Sequence, residues 1–99
     1  MALQIERVEP NFLRIVGAVD FASFDPLREA LNATTGHLTL DVSGVGFIDS
    51  AGLRVILERL AAGPVTVASP TAGIVRLIEL CGLAQADGLT IEPGSDPSG

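Results

Sequence analysis

Gly46-Phe47-Ile48-Asp49-Ser50-Ala51-Gly52-Leu53 is where this chain changes period, and that change decides the fold. Upstream, Leu38, Leu40 and Val42 alternate with Thr39 and Asp41, the period of two that marks a strand with one buried face. Downstream, Leu53, Ile56, Leu57, Leu60 and Ala61 recur at the i, i+3, i+4 spacing of an amphipathic helix. Ser50 falls at the junction, where a side-chain oxygen can cap the orphan N–H groups of the first helical turn. A phosphate on that oxygen would meet the positive end of the helix dipole. From the residues alone, Ser50 reads as a helix N-cap.

Outward from this junction the chain reads strand, strand, helix, strand, helix, strand, helix, strand. Residues 3–8 and 12–19 form two strands joined by a turn at Glu9-Pro10-Asn11, where Pro fixes φ and Asn tolerates unusual dihedrals. Asp25-Pro26 reads as an N-cap followed by Pro at the first helical position, with Leu27, Ala30 and Leu31 as the apolar stripe. The second helix starts near Ser50 and ends at Gly63-Pro64, and a strand follows over 65–68. The third helix begins after Ser69-Pro70, with Ser69 as its cap, and stops at Gly82, with Leu83 packing back as in a Schellman cap. Strand-helix-strand connections of this size predict right-handed parallel crossovers, and the opening hairpin predicts a mixed sheet. The expected fold is therefore a single small α/β domain with a mixed central sheet, parallel crossovers and covering helices. EPGSDPSG, residues 92–99, is nearly devoid of apolar side chains and reads as a disordered tail to a domain over 1–91.

Composition narrows the function. With 99 residues the chain supports one core, since a domain of this size buries roughly 60–68% of its unfolded surface. The net charge is −6, and all six cations are Arg, which with the Ala and Gly content hints at a GC-rich bacterial genome. An acidic chain without a basic cluster argues against nucleic-acid binding. The N-terminal MALQIERVEP has no leader pattern and no apolar run nears the ~20 residues that span a bilayer, so a cytoplasmic protein without membrane insertion is expected. Cys81 shares a helical stripe with Ile74, Leu77 and Ile78 and is expected to fill core.

Catalytic readings fail one by one. Gly44-Val45-Gly46 follows a strand, but Asp49 stands where a dinucleotide loop needs a third small residue, and its carboxylate would repel a pyrophosphate. A chain without Lys cannot supply a phosphate-binding P-loop. His37, the only histidine, has no partner at a spacing that suggests metal or nucleophilic chemistry and is assigned a surface or turn role. Asp49 and Ser50 are adjacent, a poor geometry for base and nucleophile, with no third group to orient them. The chain is expected to be no enzyme, with no cofactor or metal of its own.

LTLDVSGVGFIDSAGLRVILERL (38–60), followed by PVTVASPTAGIVRLIELCGL (64–83), resembles the core of a STAS domain of the anti-sigma-factor antagonist type. The likeness reaches back through LRIVGAVD and covers about residues 3–91, with Asp-Ser-x-Gly as its sharpest motif. The resemblance implies a phosphoswitch in a bacterial partner-switching pathway. Ser50 would be the phosphoacceptor of an ATPase-type anti-sigma factor with serine kinase activity, which binds only the unphosphorylated form and thereby releases a sigma factor. ATP and Mg would belong to that kinase, and a phosphatase would reset Ser50. The implied partner face comprises Asp20, Phe21, Ser23 and Asp25, then Asp49, Ser50, Ala51, Gly52 and Leu53, and finally Ser69 and Thr71. Phe21 and Phe24 also have a plainer reading, in which at least one packs under the first helix. The alternative function is a STAS module in a stress-signalling scaffold or a lipid or anion transporter complex, with Ser50 only a helix cap.

Overall fold

In a computed structural model, which describes residues 3–20, 24–82 and 86–92, five strands and three helices follow the expected order. The strands are β1 (Gln4–Glu9), β2 (Phe12–Val19), β3 (Leu38–Ile48), β4 (Val65–Ala68) and β5 (Leu89–Glu92). The helices are α1 (Phe24–Asn32), α2 (Ser50–Glu58) and α3 (Ala72–Leu80). The sheet order is β1-β2-β3-β4-β5, with β1 antiparallel to β2 and every later pair parallel. It is the mixed sheet that the opening hairpin and the crossover rhythm imply.

Register turns this topology into layers. Leu13, Leu40, Val67 and Ile91 stand in one row across β2 to β5, and Leu38, Val65 and Leu89 in another. These residues join Leu27 and Leu31 of α1, Leu53 and Ile56 of α2, and Ile74 and Ile78 of α3 in one core, with Ile91 partly buried. Because side chains alternate along a strand, the next row faces the other way. There Glu6, Arg14 and Asp41 sit in register and pair, Arg14 reaching Glu6 at 3.5 Å and Asp41 at 3.2 Å.

The alternation in β3 is broken twice. Between the pairs Arg14↔Asp41 and Val16↔Gly44, β2 advances two residues and β3 three, and a second extra residue enters between Val45 and Phe47. Strict alternation from Val42 would bury Gly44; the first irregularity buries Val45 in its place. The Ser43 N–H donates to Asp41 Oδ1 at 2.9 Å. Burial pushes the Asp41 carboxyl up, but the hydrogen bonds from Ser43 and the Arg14 guanidinium outweigh it and hold the group below its ordinary value of 3.8. A lowered carboxyl stabilises the fold above its unfolded pKa, and that contribution disappears as pH falls through the folded value. Urea midpoints should therefore drop more steeply between pH 5 and pH 3 (about one unit either side of the unfolded value) in the wild type than in Asp41→Asn. Parallel pH profiles would contradict this account.

Several local expectations are corrected. α1 starts at Phe24, so Asp25 lies inside the first turn and Pro26 is its third residue, tolerated there because those N–H groups have no intrahelical acceptor. Phe24 is half-buried against the core, while Phe21 and Ser23 lie outside the described residues. Gly82 ends α3 with φ +72 and its N–H on the Glu79 carbonyl, as the sequence implies, but Leu83 is outside the described residues. Cys81 is exposed rather than core, because it caps the helix end instead of continuing its buried stripe. β5 takes in Glu92, one residue beyond the expected domain boundary. His37 is exposed, with Nε2 2.7 Å from Thr66 Oγ1.

The last turn of the second helix tightens into a 3-10 segment, Arg59–Ala62. With three residues per turn, Arg59 falls in line with buried Ile56, Leu60 stays partly buried against the core and Ala61 is exposed. Arg59 is 1% exposed. Its Nε donates to the Leu31 carbonyl and Thr34 Oγ1, both at 3.1 Å, its Nη1 to the Gly63 carbonyl at 3.3 Å and its Nη2 to the Gly36 carbonyl at 2.7 Å. Burial pushes the guanidinium below the usual arginine range. One cation thus ties the α1–β3 connection to the end of α2.

Candidate functional site

Parallel strands deliver their following loops to one edge of the sheet, and ligands and partners of α/β folds gather there. Here the edge is formed by the ends of β2, β3 and β4. Val19 and Ile48 are register partners, so Asp20 and Asp49 leave the sheet from neighbouring strands. Asp49, not Ser50, is the N-cap of α2. Its backbone is extended at φ −102 and ψ 177, its Oδ1 accepts the Gly52 N–H at 2.7 Å, and its carbonyl accepts the Leu53 N–H at 3.0 Å. An ionised cap beside the helix N-terminus also complements the dipole. Ser50 is displaced into the first helical position, where it is exposed, and its hydroxyl makes no hydrogen bond with the described residues.

Gly52 explains the fourth position of the Asp-Ser-x-Gly element. A Cβ there would lie 2.7 Å from Val19 Cγ1 and 3.1 Å from Ile48 Cγ1, so only glycine lets the helix start this close to β2 and β3. Gly52 and Leu53 are buried. Both were expected on a partner face; they form the inner side of the first turn, and Ser50 and Ala51 are its exposed residues.

At the end of β4, Thr71 rather than Ser69 caps α3, its Oγ1 accepting the Ile74 N–H at 3.3 Å. Ser69 is turned into the left-handed region at φ +56, with its N–H on the Glu92 carbonyl at 2.8 Å, so the chain needs two more residues before the helix begins. Thr71 is exposed and lines a groove of about 170 Å³ with Gly46, Phe47, Ile48, Gly73 and Ile74. The fold therefore brings the α3 cap to the residues just ahead of Asp49 and Ser50. Asp20 and Asp25 are exposed on the same chain segment, Asp25 lying 3.6 Å from Arg28.

Phe47 was read only as strand. It is 54% exposed and also lines a larger groove, about 390 Å³, with Val16, Gly17, Ala18, Gly44 and Gly46. Gly44 and Gly46, just ahead of it in β3, were the available signal, since they leave a large side chain with little beside it to cover it. Among the described residues no three His, Cys, Asp or Glu side chains converge on a point that could hold a metal ion.

Residues 1–91 match the family model described as Mlab, STAS domain. The chain belongs to the STAS domain family. No curated protein sequence is similar enough to count as a match. Among solved structures, the STAS domain described here is similar to the anti-sigma factor antagonist SpoIIAA in its unphosphorylated form. That likeness has 19% identity and a TM-score of 0.66, covering 95% of this chain and 90% of that one. It is also similar to a Thermotoga maritima protein assigned as an anti-sigma factor antagonist, with 19% identity and a TM-score of 0.69, covering 97% of this chain and 88% of that one. At this identity the likeness establishes a shared fold. No helix among the described residues is long and apolar enough to cross a membrane.

Proposed function

We propose that this STAS domain is an anti-sigma-factor antagonist, a cytoplasmic binding module switched by phosphorylation of Ser50. The observation that carries the reading is the division of labour in the first turn of α2: Asp49 caps the helix, which leaves the exposed Ser50 hydroxyl uncommitted. In the reaction the γ-phosphoryl group of ATP passes to Ser50 Oγ, ADP departs and the hydroxyl proton is lost to solvent. ATP and Mg²⁺ are held by the partner kinase, and a phosphatase reverses the step. The unmodified form binds the anti-sigma factor through Asp20, Asp25, Ser50, Ala51 and Thr71, and the sigma factor is released. That both structural neighbours carry antagonist names supports the reading.

Ser50→Ala tests it. An exposed residue that does not cap should cost no more than about 0.5 kcal/mol, so the variant folds as the wild type does. It should bind the anti-sigma kinase with or without ATP, whereas ATP weakens the wild-type complex. A folded variant whose binding still responds to ATP would refute Ser50 as the switch. The matched family model is named for Mlab rather than for an antagonist, and this favours a second reading, a STAS module in another complex with Ser50 unmodified.

A further inference from the structure

We infer that Arg54 is the intramolecular partner of the phosphate on Ser50, in an ion pair that exists only in the modified protein; the inference rests on the reading of Ser50 as phosphoacceptor. Residues four apart on a helix are surface neighbours, and an anion N-terminal to a cation at i, i+4 is the favoured order. Ser50 and Arg54 have this spacing on α2, and both are exposed. The natural competitor for Arg54 is Glu58, four residues further on. Arg28 of α1 takes both Glu58 oxygens instead, Nη2 to Oε1 at 3.1 Å and Nε to Oε2 at 3.3 Å. Arg54 makes no hydrogen bond or ion pair with the described residues. Arg14, Arg28 and Arg59 are all committed elsewhere.

The phosphate needs such a partner. Asp49 already occupies the Gly52 N–H and adds its own negative charge, and Asp20 and Asp25 come from the end of β2 and the start of α1. Asp49 and Asp20, which leave the sheet from neighbouring strands, raise the second pKa of the phosphate, Arg28 pairs with both Asp25 and Glu58, and Arg54, one turn from Ser50 on the exposed side of α2, lowers it. A guanidinium offers two parallel N–H donors to phosphate oxygens, so the pair is directional as well as charged. Pairing within one turn confines the modification to the surface of α2 and leaves the core contacts of Leu53 and Ile56 in place.

The test uses the full chain with phosphoserine installed at position 50 by codon suppression, so that no kinase is required. The phosphate is titrated by ³¹P NMR in the wild type, in Arg54→Gln and in Arg76→Gln, an exposed arginine of α3 that changes the net charge equally. Arg54→Gln should raise the phosphate pKa by about 0.15–0.4 units at low salt, a shift that 0.5 M salt largely removes, and Arg76→Gln should move it by less than a third of that (roughly the scale of an exposed helical pair). An unmoved pKa in folded Arg54→Gln, or equal shifts in both variants, would overturn the pairing and leave the switch at Ser50 standing. Failure of a kinase to modify Ser50 would remove the switch without altering this titration.

Discussion

Arg59→Ala should lower the stability of the domain by about 3–5 kcal/mol, a large share of the 5–15 typical of a small domain. The substitution strips donors from the Leu31, Gly36 and Gly63 carbonyls and from Thr34 Oγ1, all held by one guanidinium, and it empties the volume of the largest fully buried side chain. Among the described residues no carboxylate pairs with Arg59, so neutral oxygens compensate its desolvation, and its loss leaves acceptors at Leu31 and Thr34 that are buried and at Gly36 and Gly63 that are partly so. Thermal unfolding should shift downward by on the order of 15–30 °C. Arg59→Lys keeps the charge but not the four-way fork and should fall between the two. A midpoint for Arg59→Ala within about 5 °C of the wild type would mean that water replaces the guanidinium at little cost.

How much of this was legible in the sequence follows from where periodicity stays regular. β2 and β4 stand where alternation and turn chemistry put them, and Asp-Ser-x-Gly marked the start of α2 to within one residue. The caps were assigned one or two positions off at both site helices. Asp, Ser and Thr are all good caps, so composition cannot choose between Asp49 and Ser50, or between Ser69 and Thr71, without backbone dihedrals. Val45 was hidden by the irregular β2–β3 register and Arg59 by the 3-10 turn, because each shifts the buried face against the regular period. Within the expected partner face, Gly52 and Leu53 were placed by motif on a turn whose inner side they form.

Phosphorylation of Ser50 should weaken binding to the anti-sigma kinase by roughly thirtyfold to several thousandfold. The modification adds about −1.5 to −2 charges beside Asp49, while the start of α2 returns about 0.3–1 kcal/mol through the helix dipole, so the domain keeps its fold. At a docked surface the same group loses water, one exposed arginine compensates only part of its double charge, and burying the remainder uncompensated costs about 2–5 kcal/mol. Backbone chemical shifts should therefore change near residues 47–55 and hardly elsewhere. Equal affinity of the two forms would remove repulsion as the mechanism, and shifts spread through the sheet would replace it with a conformational change.

Whether Ser50 carries the phosphate is decided by phosphosite mapping by mass spectrometry after incubation with an ATPase-type anti-sigma factor and ATP. A single phosphate is expected on the peptide containing Ser50, and none on the Ser50→Ala protein. Stoichiometric phosphate on another residue, or none at all with a kinase that binds the domain tightly, would contradict it.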